Sequence, residues 1–194
     1  LTANSDATGV TVFLDIAGSM KGEADGSSVS NASVTATSTV TGIEGGDGND
    51  TIISDGPQIS ASADANATAV SVGLTVSGSL EGNVAGQALS DASVTANAAA
   101  TGIDGGSGQD RIDNGSQLSS AVDASATGVA ASLKVGFTKE GDVSPDAVAQ
   151  GSALSDASVT ANSAATGIDG GGDPDTIENR GHTELQANSG APGL

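Results

Sequence analysis

An all-β repeat array is the fold class this sequence predicts, and three observations predict it. Blocks of sequence return in the same order at long, nearly constant intervals. Within them, apolar and polar residues alternate with a period of two. Each interval closes on a short segment dense in glycine and aspartate. Together these features call for a flattened β-solenoid or a stacked two-sheet array, with an antiparallel meander or β-sandwich as the alternative.

The recurrence is the firmest of the three. Asn31-Ala32-Ser33-Val34-Thr35-Ala36 returns as Asp91-Ala92-Ser93-Val94-Thr95-Ala96 and as Asp156-Ala157-Ser158-Val159-Thr160-Ala161, at intervals of 60 and 65 residues. Ala7-Thr8-Gly9-Val10 returns as Ala67-Thr68-Ala69-Val70 and Ala126-Thr127-Gly128-Val129. The excess in the second interval places an insertion around Ser144-Pro145-Asp146-Ala147-Val148. Three units result, approximately 1–58, 59–117 and 118–184, and 185–194 starts a fourth, with Leu185-Gln186-Ala187-Asn188-Ser189 echoing Leu1-Thr2-Ala3-Asn4-Ser5. Residues 1–194 therefore read as one array and not as separate domains.

Each unit opens on strands. In the second unit the apolar face first runs through Ala61, Ala63, Ala65, Ala67 and Ala69, then through Val70, Val72, Leu74 and Val76. The phase slips by one residue at Ala69-Val70, and likewise at Gly9-Val10 and Gly128-Val129, which predicts a bulge or corner between two strands. On this reading Val10, Val12, Leu14 and Ile16 face a core, as do Val129, Ala131, Leu133 and Val135. A glycine-rich turn follows, Glu81-Gly82-Asn83-Val84-Ala85-Gly86 in the second unit. A further strand carries a small apolar face, Val34, Ala36, Ser38 and Val40, repeated at Val94, Ala96, Ala98, Ala100 and at Val159, Ala161, Ser163, Ala165. Strands of roughly ten to twelve residues, about 33–40 Å long, are expected. Helical periodicity is not evident. Side chains this small suit two sheets lying close together and not a thick globular core.

Each unit closes on a loop. Gly45-Gly46-Asp47-Gly48-Asn49-Asp50-Thr51-Ile52 recurs as Gly105-Gly106-Ser107-Gly108-Gln109-Asp110-Arg111-Ile112 and as Gly170-Gly171-Gly172-Asp173-Pro174-Asp175-Thr176-Ile177. Glycine permits sharp turns that aim carbonyl oxygens inward, aspartate adds a carboxylate, and the isoleucine anchors the following strand. Oxygen donors at this density suit a hard cation such as calcium, which takes six to eight of them. The segments resemble the Gly-Gly-x-Gly-x-Asp-x-apolar-x nonapeptide of repeats-in-toxin (RTX) proteins over eight or nine residues per copy. The first two copies match it, and the third departs at Asp173 and Pro174. The resemblance implies a calcium ion between two stacked turns, here supplied by adjacent repeats. It would draw side-chain oxygens from Asp50, Asp110 and Asp175, and carbonyls from Gly45, Gly46, Gly48, Gly105, Gly106, Gly108, Gly170 and Gly171. Asp47 and Asp173 would add carboxylates, as would Glu44, Asp104 and Asp169 just before the glycines. Bringing these carboxylates together without a cation is repulsive, so metal binding and folding are expected to be coupled.

Composition limits the alternatives. The formal net charge is -19, which argues against nucleic acid and anionic membrane surfaces as partners and favours divalent cations. Leu, Ile, Val and Phe make up about 19% of the chain, a composition shared with disordered proteins. The alternation, which disorder does not require, argues for an ordered chain dependent on calcium. Cysteine is absent, so there is neither a disulfide nor a thiolate metal site. No apolar run is long enough to insert in a membrane. The chain begins at Leu1, as expected of a protein whose leader is removed or of a segment from a longer one.

Catalysis has little support. His182 is the sole histidine and has no counterpart in the other repeats. The serines lack a repeated base. Lys134, Phe137 and Lys139 mark the one strand that departs from its siblings and suggest a contact patch or a variable surface. Two non-enzymatic roles remain. One is an extracellular structural repeat stiffened by calcium, a filament subunit or adhesin stalk that self-associates through repeat ends or terminal strands and contacts a cell surface or matrix. The other is a flat surface binder, such as an ice-binding solenoid. Thr35, Thr37, Thr39 and Thr41 form a row, but it becomes Thr95, Asn97, Ala99, Thr101 and Thr160, Asn162, Ala164, Thr166 in the later repeats.

Overall fold

The computed structural model describes residues 1–80, 82–138 and 150–194. Glu81 of the expected turn, Lys139 and the insertion around Ser144–Val148 lie outside the described residues. Each repeat forms one coil of two long strands and a short one. The first holds β1 (Thr2–Ser19), β2 (Ala24–Glu44) and β3 (Thr51–Ser54). The second holds β4 (Gln58–Ser79), β5 (Val84–Asp104) and β6 (Arg111–Asn114). The third holds β7 (Gln117–Thr138), β8 (Ser152–Asp169) and β9 (Thr176–Asn179), after which β10 (Thr183–Gly190) starts another coil.

Equivalent strands stack on one another. The first sheet is ordered β1-β4-β7-β10, the second β2-β5-β8, and the short third sheet β3-β6-β9. Every pairing is parallel, which makes the molecule a β-solenoid-like stack and excludes the antiparallel sandwich. Register follows the sequence repeat, so Ala32 lies beside Ala92 and Ala92 beside Ala157.

A thin core lies between the two long sheets. Ala61, Ala63, Ala65, Ala67 and Ala69 on β4 face Ala92, Val94, Ala96, Ala98 and Ala100 on β5, all 4% exposed or less. Space is matched across this seam. Where Val34 and Val159 project from the second sheet, the first sheet carries Gly9 and Gly128, and a Cβ on either glycine would sit 2.5–2.7 Å from a valine methyl. A second cluster of Ile52, Ile103, Ile112 and Leu118 closes the corner beside the short sheet.

The structure corrects the expected bulge. β4 continues through Ala69-Val70, and its pairing with β7 is unbroken from Gln58↔Gln117 to Ser79↔Thr138. The long strands run to 21 or 22 residues in the second repeat, about twice the expected length. Odd-numbered residues stay inside along all of β4, so Ser71, Gly73, Thr75, Ser77 and Ser79 are interior while Val70, Val72, Leu74 and Val76 point outward. Apolarity changes sides at this point; the backbone does not. The same inversion puts Val10, Val12, Leu14 and Ile16 on the outer face, at 55–70% exposure.

The polar half of the interior is held by hydroxyls. Ser71 Oγ donates to Ser30 Oγ at 2.9 Å, and Thr75 Oγ1 lies 2.8 Å from both Ser28 Oγ and the Gln87 carbonyl oxygen. Such pairing offsets the cost of taking hydroxyls out of water. A phase change does occur elsewhere, at the glycine preceding each loop. Ala100 and Gly102 are interior, and so is the next residue, Ile103. A Cβ on Gly42 would collide with the Gly102 carbonyl oxygen, so the chain bends into the loop where only glycine stacks on glycine.

Candidate functional site

The glycine–aspartate loops stack into one column at the junction of the second and short sheets. Gly46, Gly106 and Gly171 adopt φ of 94°, 92° and 98°, a region that side-chain-bearing residues rarely occupy. Gly48 and Gly108 do the same at 117° and 127°, and the third copy has Asp173 at that place. Backbone bonds tie the coils together. Gly45 N donates to the Asp104 carbonyl and Gly105 N to the Asp169 carbonyl, each at 2.8 Å. Ser107 N donates to the Gly46 carbonyl and Gly48 N to the Ser107 carbonyl, also at 2.8 Å.

The closing aspartates form a ladder of their own. Asp110 Oδ1 accepts the Asp50 amide at 2.8 Å, and Asp175 Oδ1 accepts the Asp110 amide at 2.8 Å. The other carboxylate oxygen lies over the first loop glycine: a Cβ on Gly45 would be 3.3 Å from Asp50 Oδ2, and one on Gly105 would be 2.8 Å from Asp110 Oδ2. On Gly170 it would be 2.5 Å from Asp175 Oδ2. Glycine at these positions makes the room that the carboxylate occupies. Asp110 is only 3% exposed, and the Oδ2 atoms of Asp50 and Asp110 are buried with no hydrogen-bond partner. Stacked carboxylates about 4.8 Å apart repel one another by roughly 1 kcal/mol in water and several-fold more where the effective dielectric falls.

The remaining expected ligands are placed less uniformly. Glu44, Asp104 and Asp169 form a ladder one residue before the glycines. Asp104 Oδ1 accepts the Gly106 amide and Asp169 Oδ1 the Gly171 amide, both at 3.0 Å, so these two carboxylates brace their own turns. Asp47 is exposed and bridges to Ser107 through the backbone. Asp173 Oδ2 accepts the Gly108 amide at 3.2 Å. Among the described residues no three His, Cys, Asp or Glu side chains converge as a metal-binding group. A cation here would therefore rest on the Asp50–Asp110–Asp175 ladder supplemented by backbone oxygens. That all-oxygen donor set fits calcium and not a soft metal.

Sequence reading missed the amide ladders. Asn49 Oδ1 accepts the Gln109 amide at 2.9 Å, and buried Asn114 donates from Nδ2 to Asn179 Oδ1 at 2.8 Å. Their signal was the equivalent position of Asn114 and Asn179 at the ends of β6 and β9. Lys134 occupies an interior position of β7 and donates to the Gln150 carbonyl, so it does not belong to the outward patch that holds Phe137. His182 contributes its backbone carbonyl to Leu118 N at 2.8 Å. Comparison with protein-family models, with curated proteins and with solved structures found no match to this chain.

Proposed function

We propose that this protein is an extracellular structural repeat whose glycine–aspartate loops bind calcium, and that calcium stiffens the stack as part of a stalk or filament. One observation carries the reading: the buried Oδ2 atoms of Asp50 and Asp110 lack partners and repeat at the spacing of the coils. A divalent cation would supply what both atoms lack and neutralise the like charges that stacking brings together. The resemblance of the loops to RTX nonapeptides points the same way, as does the net charge of -19. The array also offers edge strands, β1 and β2 on one side and β8 and β10 on the other, suited to end-to-end addition of another coil. Far-UV circular dichroism during calcium titration of EGTA-treated protein tests the reading, with light scattering followed in parallel. A cooperative gain of β signal is expected, and rising scattering would accompany end-to-end assembly. No calcium binding and an unchanged spectrum would reduce the loops to ordinary turns.

A second reading, binding to a flat surface such as ice, has one observation in its favour. Register aligns Thr35, Thr95 and Thr160 across the second sheet, and likewise Thr41, Thr101 and Thr166. The two rows between them change to asparagine and alanine, which breaks the regular array such a surface needs. Ice recrystallisation that proceeds unhindered at high protein concentration would remove this reading.

A further inference from the structure

We propose that Asn114-Gly115 is a covalent modification site, at which the asparagine deamidates spontaneously when the coils part and the product then keeps them apart. Asn114 is the one asparagine in the sequence that precedes glycine. Glycine has no side chain to hinder its backbone nitrogen, so that nitrogen can reach the asparagine side chain. In the reaction the Gly115 nitrogen gives up its proton and bonds to Cγ of Asn114. The Cγ–Nδ2 bond breaks, ammonia leaves, and a five-membered succinimide remains. Water then opens the ring at either carbonyl, leaving aspartate or isoaspartate in the chain. Nothing is oxidised or reduced, and water is the only co-reactant. The equivalent residues of the other coils, Ser54 and Asn179, are followed by Asp55 and Arg180, so the reaction is confined to the second coil.

In the stack both reacting groups are held, and by different coils. Gly115 N donates to the Ser54 carbonyl of the first coil at 2.6 Å. Asn114 is fully buried, and its Nδ2 donates to Asn179 Oδ1 of the third coil at 2.8 Å and to the Ser116 carbonyl at 2.9 Å. Its Oδ1 accepts the Ser116 amide at 3.2 Å. Gly181 of the third coil covers the amide so closely that a Cβ there would lie 3.1 Å from Nδ2. Closing the ring turns Asn114 out of the extended conformation of β6 and breaks these bonds, so a coil must lift before the reaction begins. The product does not fit back. A buried carboxylate in this place sets an oxygen against Asn179 Oδ1 and the Ser116 carbonyl, two acceptors, where Nδ2 had supplied the donors. Turning the Asn179 amide over to donate would forfeit its bonds to the Gly181 amide and to Thr183 Oγ1. Isoaspartate also adds a methylene to the backbone and breaks the register with both neighbouring coils.

Peptide mapping by mass spectrometry tests the proposal on the full chain, incubated at mildly alkaline pH either folded or in enough urea to abolish its β signal. In urea, conversion of Asn114 to the acid is expected, with isoaspartate among the products. In the folded chain the same conversion should be slower on the order of 100-fold. Asn179→Ala, which removes the third coil's acceptor, should speed the folded-state reaction about 10-fold and leave the rate in urea unchanged. Asn114→Ser, which places there the residue type that the first coil carries at Ser54, should fold and show no conversion at this position. Asn114→Asp, the direct product, should unfold at a lower urea concentration than Asn114→Ser, or fail to fold. No conversion in urea overturns the site. A folded chain that reacts as fast as the unfolded one, or an Asn179→Ala variant that reacts at the parental rate, overturns the gate. Equal urea midpoints for Asn114→Asp and Asn114→Ser overturn the claim that the product keeps the coils apart.

Discussion

Asp110 takes the backbone amide of Asp50 on one carboxylate oxygen, at 2.8 Å, and leaves the other oxygen buried without a partner. The first contact staples one coil to the next. The second oxygen carries a cost, because burying a carboxylate oxygen without a partner is unfavourable. Asp175 repeats the staple on Asp110, so the arrangement belongs to the repeat and not to one loop.

Asp110→Asn separates the inter-coil hydrogen bond from the charge. The asparagine carbonyl can still accept the Asp50 amide, while the charge is removed and the unpartnered oxygen gives way to an unpartnered amide nitrogen. The variant should differ little from the parent in EGTA, where about 1 kcal/mol of relieved repulsion is offset by the unpartnered nitrogen, and gain less from calcium. Thermal unfolding followed by circular dichroism with and without calcium measures both. An identical change in the two conditions would mean that the carboxylate has no metal-linked role.

Gly46 and Gly106 share nearly the same φ, 94° and 92°, but different surroundings. A Cβ on Gly46 meets nothing within 4 Å, whereas one on Gly106 collides with the Gly46 carbonyl of the preceding coil. Gly46→Ala should cost about 1–2 kcal/mol, for the left-handed backbone alone. Gly106→Ala should cost clearly more, since the stacking of two coils must open. Urea denaturation under identical calcium conditions compares them.

The polar half of the interior distinguishes paired from unpaired hydroxyls. Thr75 Oγ1 lies within hydrogen-bonding distance of Ser28 and Gln87, so Thr75→Val should destabilise by about 1–3 kcal/mol. Ser77 Oγ and Ser38 Oγ are buried with no partner. Ser77→Ala and Ser38→Ala should be neutral or stabilising, by up to about 1 kcal/mol. Ser38→Ala in particular extends the alanine seam that Ala98 already forms in the next coil. Urea midpoints for the three variants give the ranking.

Much of the fold was legible because the repeat states its own register. In a parallel stack equivalent residues lie side by side, so aligning the repeats already places Ala32 beside Ala92 and the three loops in one column. The interior of the second half was misread for a physical reason. Alternation shows that two faces differ, but not which of them is buried. Val70 and Leu74 look like core until Ser71 and Thr75 are found bonded to the opposite sheet. The break at Ala69-Val70 was therefore real in composition and absent from the backbone. The true corner at Gly102-Ile103 was hidden in a glycine too common in this chain to stand out. At the loops, the sequence placed the aspartates in one column but could not distinguish one that braces its own turn, such as Asp104, from one with an unpartnered oxygen, such as Asp110.

The decisive measurement is the unfolding free energy of the chain across a series of free calcium concentrations, with magnesium as the control. Stability should rise with the logarithm of free calcium once the loops begin to fill, by about 1.4 kcal/mol per tenfold increase for each linked site, and magnesium should do far less. A stability that is flat in calcium, or that magnesium raises equally through simple screening of the acidic surface, would contradict calcium binding by the aspartate column.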